Sequence, residues 1–134
     1  MRAEIIAIGS ELVSGQSLDT NSYWLSQQLT ALGIAVAFHT TLGDVLDDHL
    51  VAFKNAVTRA DVVVMTGGLG PTQDDLTREA LARCAGVPLV EDAESLAAIA
   101  AMFARRNRVM SERNRVQALF PIGATPLPNP VGTA

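Results

Sequence analysis

The run Val62-Val63-Val64-Met65-Thr66-Gly67-Gly68-Leu69-Gly70-Pro71-Thr72-Gln73-Asp74-Asp75-Leu76-Thr77 limits what this chain can become more than any other stretch. Its opening apolar residues are mostly β-branched and suit a strand covered on both faces, the habit of parallel sheets. The glycines that follow, Gly67, Gly68 and Gly70, allow positive φ and let backbone N–H groups approach a ligand. Pro71 stiffens the loop, and Asp74, Asp75 and Thr77 stand where a helix should begin. A strand, a glycine loop and a helix start together make an anion site at the carboxyl edge of a sheet. Acids in such a loop fit phosphate binding when a divalent cation lies between carboxylate and phosphate.

The rest of the chain supplies matching units. Ala3 to Gly9 reads as a buried strand ending in the turn Gly9-Ser10-Glu11, with residues 12–18 as loop. Asp19-Thr20-Asn21-Ser22 is a cluster of N-cap residues, and Leu25, Leu29 and Leu32 follow at helical spacing before Gly33. Ile34 to Leu42 reads as a second strand and Gly43-Asp44 as its turn. Leu46, Leu50, Phe53 and Val57 mark one face of the next helix. Beyond the central strand, a helix is expected from about Asp74 to Ala85, burying Leu76, Ala80, Leu81 and Cys84, with Gly86 as its C-cap. Val87 to Val90 is a short extended piece. Glu91, Asp92 and Glu94 load the first turn of another helix, whose core face is Leu96, Ile99, Ala100 and Phe103. A short helical segment is expected around Ser111 to Leu119, and the chain beyond Phe120 is rich in proline and turns.

Strand, helix, strand, helix, strand, helix is the order of a parallel sheet with helices on both faces and right-handed crossovers. The length of 134 residues suits one domain. Fourteen acids against ten bases, a net charge of −4, argue against a nucleic-acid surface. No apolar run approaches the roughly 20 residues that span a membrane. The first residues, Met1-Arg2-Ala3-Glu4-Ile5, do not resemble a signal peptide. The single cysteine, Cys84, excludes an internal disulfide, so a cytoplasmic location is expected.

Each acid-bearing turn follows a strand: Glu11 the first, Asp44 the second, Asp74 and Asp75 the third. If those strands are neighbours, four carboxylates line one rim beside the glycine loop. Each also has a plainer reading. Asp75 could close a capping box with Thr72, Asp74 could be an acid favoured at a helix start, and Asp44 could be an N-cap. Glu11 has no helix directly after it, so capping accounts for it less well. Asp19 to Ser22 are a cap before they are a ligand contact, although Asn21 or Ser22 could face the rim. Arg113 and Arg115 belong to an arginine-rich stretch that more often faces solvent than phosphate. His39 and His49 have no metal-ligand spacing and read as structural.

Three segments resemble the N-terminal domain of the CinA (competence/damage-inducible protein A) family. They are Ala7-Ile8-Gly9-Ser10-Glu11-Leu12 with Gly15-Gln16 and Asp19-Thr20-Asn21-Ser22; Thr66-Gly67-Gly68-Leu69-Gly70-Pro71-Thr72 with Asp74-Asp75-Leu76-Thr77; and Leu127-Pro128-Asn129-Pro130-Val131-Gly132-Thr133-Ala134. That domain belongs to the molybdopterin-binding superfamily of MoaB, Mog and gephyrin G-type proteins. The resemblance implies an α/β fold, a three-layer α/β/α sandwich with a mostly parallel sheet. It implies that molybdopterin-type members hold the pterin phosphate on the glycine loop, some adenylylating it with ATP and Mg²⁺. For CinA-type members it implies metal-dependent hydrolysis of ADP-ribose to AMP and ribose 5-phosphate. Many of these carry a further C-terminal domain that deamidates nicotinamide mononucleotide. Two departures stand out: Ser10 replaces the family's usual Asp or Thr, and the chain stops at Gly132-Thr133-Ala134 where the family continues. The chain therefore reads as one domain, 1–134, truncated at its C-terminal end.

The resulting expectation is a metal-dependent pyrophosphatase of a nucleotide diphosphate sugar. Asp75, Asp74 and Asp44 are the catalytic candidates, and the same three with Glu11 are the candidates for holding Mg²⁺, Mn²⁺ or Co²⁺. Thr66, Gly67, Gly68, Gly70, Thr72, Thr77, Asn21 and Ser22 are the candidates for phosphate or nucleotide binding. The alternatives are a molybdopterin-binding or molybdopterin-adenylylating domain, and a non-catalytic interaction domain. The expected partners are a small nucleotide or pterin phosphate, a second copy of the chain, and a C-terminal deamidase domain in a longer protein, with no nucleic acid and no membrane.

Overall fold

A computed structural model describes residues 1–133, which form two compact units, one of residues 1–68 and one beginning at Leu69. The first unit is built on β1 (Arg2–Ile8), which lies between β2 (Ala35–Leu42) and β3 (Val62–Thr66), both parallel to it. A central strand is covered on both faces, and residues 3–8 of β1 are all buried, Glu4 among them. Alternation then assigns each face a helix. Ala3 and Ile5 pack with Leu29 of α2 (Thr20–Ala31), flanked by Leu25, Ile34, Val36, Val62 and Val64. On the other face Glu4 meets Arg59 of α3 (Leu46–Arg59). Helix, parallel sheet and helix form three layers, as expected.

Details differ from the sequence reading. Residues after Gly9 form a single helical turn, α1 (Ser10–Val13), rather than a loop. Asp19 is the N-cap of α2, accepting from the Ser22 N–H at 2.9 Å, but Leu32 lies beyond the helix and is 74% exposed. In α3 the buried positions are His49, Phe53 and Ala56, and Val57 faces solvent. The stripe shifts because the His49 ring stacks against Phe53, centroids 5.8 Å apart, while its Nε2 bonds the Gly43 carbonyl at 2.8 Å.

In the second unit α4 covers Thr77–Ala85, three residues shorter at its start than expected, and ends on Gly86 in the left-handed conformation. Ala80 is buried as expected; Thr77, Arg78 and Ala82 are buried too, while Leu76, Leu81 and Cys84 are half-buried. β4 (Leu89–Glu91) pairs antiparallel with β5 (Leu119–Pro121). Between them lie α5 (Ala93–Arg105) and a 3-10 helix, Glu112–Ala118. Asp92 caps α5 by accepting from the Ser95 N–H at 2.8 Å, and hydrogen bonds from the Ser95 side chain and from this N–H hold its carboxyl below the ordinary carboxylate range. Glu91 is strand, not helix; Met102 is buried in α5, and Ala100 is exposed. No helix among the described residues is long and apolar enough to cross a membrane.

Candidate functional site

Parallel pairing brings the carboxyl ends of β1, β2 and β3 to one edge of the first unit, where Ala7 lies beside Thr41 and Thr66. Three turns leave from that edge. Ser10 follows β1, and its N–H and hydroxyl both donate to Asp44 Oδ2, at 3.0 and 2.6 Å. The Asp44 N–H donates back to Ser10 Oγ at 3.2 Å. The two turns are thereby clamped together. Asp44 is not the α3 cap, since α3 begins after Val45 with no side-chain cap. Glu11 is exposed, and its carboxylate folds over Gly9, where a Cβ would lie 2.5 Å from Oε1.

The third turn leaves β3 after Thr66 through Gly67 and Gly68, with φ of 90° and 64°. A Cβ on Gly67 would sit 2.0 Å from the Ile8 carbonyl oxygen. Only glycine lets the backbone pass this close to β1, so the anticipated glycine loop has a steric cause. Of the other binding candidates in this unit, Ser22 is 3% exposed in the first turn of α2, its N–H held by Asp19, and Asn21 is exposed beside it.

The remaining loop belongs to the second unit and is organised by Asp75. Thr72 donates to Asp75 Oδ2 from its N–H at 2.8 Å and from its hydroxyl at 2.7 Å. A Cβ on Gly70 would lie 2.7 Å from the same oxygen, so Gly70 makes room for the carboxylate. This is half of the capping box suggested by the sequence, formed in a turn rather than at a helix start. It is also why α4 begins late. Burial opposes ionisation of Asp75, yet the bonds from Thr72 and Gly70 and the charge of Arg78 hold its carboxyl below the usual range. Replacing Asp75 with asparagine is expected to cost about 1–2 kcal/mol through these charge-assisted bonds, checked by urea unfolding at pH 7.

Arg78 was not legible as a site residue. It is 9% exposed, and its guanidinium donates to the Leu69 carbonyl and, at 3.3 Å, to the Gly70 carbonyl. Its burial lowers its pKa against the opposing charge of Asp75. Arg78 and Asp75 thus tie both ends of the turn. The turn walls an open cleft of about 830 Å³ lined by Thr72, Asp74, Asp75, Glu79 and Arg113. Asp74 is exposed on it. A second cavity of about 650 Å³ is mainly apolar, with Leu81, Ile99, Met102 and Phe120 in its walls. Among the described residues, no three His, Cys, Asp or Glu side chains are grouped closely enough to hold a metal ion by themselves.

Comparison with known proteins fits these features. The family model described as "Probable molybdopterin binding domain" matches residues 4–134. A CinA-like protein of Synechococcus elongatus is 50% identical over 132 residues, which are 98% of this chain and 31% of that protein. A CinA-like protein of Shewanella sediminis is 47% identical over 134 residues, 100% of this chain and 32% of its own. The chain thus spans about a third of the length of these curated relatives. The crystal structure of the protein CinA from Thermoplasma acidophilum superposes with a TM-score of 0.88 at 36% identity, covering 99% of this chain and 78% of that one. The tungsten cofactor synthesizing protein MoaB of Pyrococcus furiosus shares the fold, with a TM-score of 0.59 at 23% identity over 78% of this chain and 63% of its own. The chain belongs to the molybdopterin-binding domain family, with the MoaB/Mog-like α/β fold, and within that family to its CinA-like members.

Proposed function

We propose that this domain is a metal-dependent pyrophosphatase that hydrolyses ADP-ribose, or a closely related nucleotide diphosphate sugar, to AMP and ribose 5-phosphate. One observation carries the reading: the carboxyl edge of the parallel sheet presents the Gly67–Gly68 backbone together with the clamped Ser10–Asp44 pair and Glu11. Backbone amides suit phosphate oxygens, while carboxylates beside a diphosphate repel it unless a cation intervenes. The available donors are all oxygens, which suits a hard cation such as Mg²⁺ or Mn²⁺. Mg²⁺ commonly takes one or two carboxylates and completes its shell with water and substrate phosphate, so a ready-made protein cage is not required.

In this reading Glu11 and Asp44 are the carboxylates that hold the cation at the sheet edge. A cation held there would supply charge neutralisation on the diphosphate and would make an attacking water more acidic. Thr66, Gly67 and Gly68 orient phosphate. In the second unit Thr72, Gly70 and Thr77 frame the turn. Asp75 fixes its shape by accepting from Thr72. Hydrolysis forms one P–O bond from water and breaks one bridging P–O bond.

The test is incubation of the purified chain with ADP-ribose, with and without Mg²⁺, Mn²⁺ or Co²⁺, followed by AMP detection. Metal-dependent AMP is the expected result. Glu11→Gln is expected to lower turnover by about 100-fold with an unchanged melting temperature, because Glu11 is exposed. Absence of AMP under every metal overturns the assignment.

A second reading, binding or adenylylation of molybdopterin, is favoured by the apolar cavity of the second unit, whose walls could accept a flat ring. It would show as molybdopterin binding, or as ATP- and Mg²⁺-dependent adenylylation, in a chain that releases no AMP from ADP-ribose. A chain inert in both assays would be an interaction domain.

A further inference from the structure

We propose that Arg113 is the anion-binding side chain of the cleft in the second unit, taking the outer phosphate group of a diphosphate-bearing ligand; this rests on reading the domain as one that handles such ligands. Glu79 is engaged by Arg83 across one helical turn at 2.5 Å. Asp75 is held by Thr72 and opposed by Arg78, whose guanidinium is buried against the Leu69 and Gly70 carbonyls. Asp74 and Arg113 remain, with no hydrogen bond or ion pair to any described residue.

The local sequence makes this state of Arg113 informative. Its near neighbour Arg115 is paired twice, with Glu91 at 2.9 and 3.1 Å and with Glu112 at 3.4 Å. Those two acids are therefore occupied, and Arg113 stands in the cleft wall with its whole donor fork available. A planar guanidinium presents paired N–H groups that match two oxygens of one phosphate. An unpaired carboxylate and an unpaired guanidinium in one cleft suit a ligand that brings both signs, such as a diphosphate carrying a divalent cation. Asp74 would meet the cation and Arg113 the phosphate oxygens.

The experiment measures binding of inorganic diphosphate with Mg²⁺ to the purified chain by calorimetry, so that no turnover is needed. Arg113→Gln is expected to weaken binding by about tenfold and Arg113→Lys by less, since lysine keeps the charge without the fork. Arg105→Gln, at the end of α5 and outside the cleft lining, is the control for general surface charge and should bind as the wild type does. Melting temperatures should be equal in all four proteins. Failure of the wild type to bind diphosphate, a loss below threefold in Arg113→Gln, or an equal loss in Arg105→Gln overturns the assignment. Diphosphate binding that depends on Arg113 without AMP release would leave the inference standing and remove the hydrolase reading. AMP release with an unchanged KM in Arg113→Gln would do the reverse.

Discussion

Gly67→Ala is expected to lower stability by about 3 kcal/mol or more, and the melting temperature by roughly 10 °C. Two costs combine. The residue sits at φ 90°, where a side chain costs about 1–2 kcal/mol. The added Cβ would also lie 2.0 Å from the Ile8 carbonyl oxygen and 3.0 Å from its carbon. Both are backbone atoms of the central strand, which has parallel partners on both sides and cannot give way cheaply. Overpacking of this kind typically costs a further 1–3 kcal/mol. Gly15→Ala separates the two costs. Gly15 has φ 77° with nothing within 4 Å of its would-be Cβ, so only the conformational cost applies. Urea unfolding of both variants should show Gly67→Ala as much the weaker protein. Equal losses would mean that the approach to Ile8 is not constraining.

Much of this was legible in the residues, for identifiable reasons. Val62 to Thr66 announces a parallel strand because its apolar run is uninterrupted, and it pairs parallel with β1. Asp19 and Gly86 announce helix ends because capping is local chemistry read within a few residues. What escaped depends on partners distant in sequence. Asp44 precedes a helix and so suggests a cap, yet its partner is Ser10, brought close only by the pairing of β1 with β2. Ser10 stands out in the sequence only as a departure from the family's usual Asp or Thr; in the fold its hydroxyl is the group that holds Asp44. Arg78 reads as an ordinary early-helix residue, and nothing in its neighbours signals a buried guanidinium bonded to loop carbonyls. β4 and β5 are too short for a period-two pattern, and their antiparallel pairing across α5 leaves no local mark. Of the four acids expected on one rim, Glu11 and Asp44 lie at the sheet edge of the first unit, and Asp74 and Asp75 belong to the loop of the second.

The ion pair under the sheet should give the second large effect, and its sign should reverse on substitution. Glu4 is 0% exposed on the central strand and accepts from Arg59 Nε at 2.7 Å, Arg59 Nη2 at 2.6 Å and the Thr40 hydroxyl at 2.7 Å. Arg59, the last residue of α3, also lies 4.1 Å over the Phe38 ring. The Arg59 bonds outweigh burial and hold the Glu4 carboxyl below its ordinary pKa. The folded state therefore binds this proton less readily than the unfolded chain. The associated stability is present above about pH 4.3, the unfolded value, and drains away as pH falls through the lower folded value. Arg59→Met keeps an apolar stem over Phe38 but leaves a carboxylate buried with Thr40 alone. Burial then raises the folded pKa above the unfolded one. In that variant the group's contribution is present below about pH 4.3 and is lost as pH rises through the raised value, so the loss relative to wild type is greatest at neutral pH. Unfolding by urea between pH 4 and 8 should show the difference between wild type and Arg59→Met growing with pH. The double variant Glu4→Gln, Arg59→Met should remove that slope and recover part of the stability at pH 7, because a neutral amide is cheaper to bury than an unpaired charge. A difference that does not change with pH would mean that water reaches Glu4 once Arg59 is gone. The pair would then be a surface contact rather than the link between α3 and the central strand.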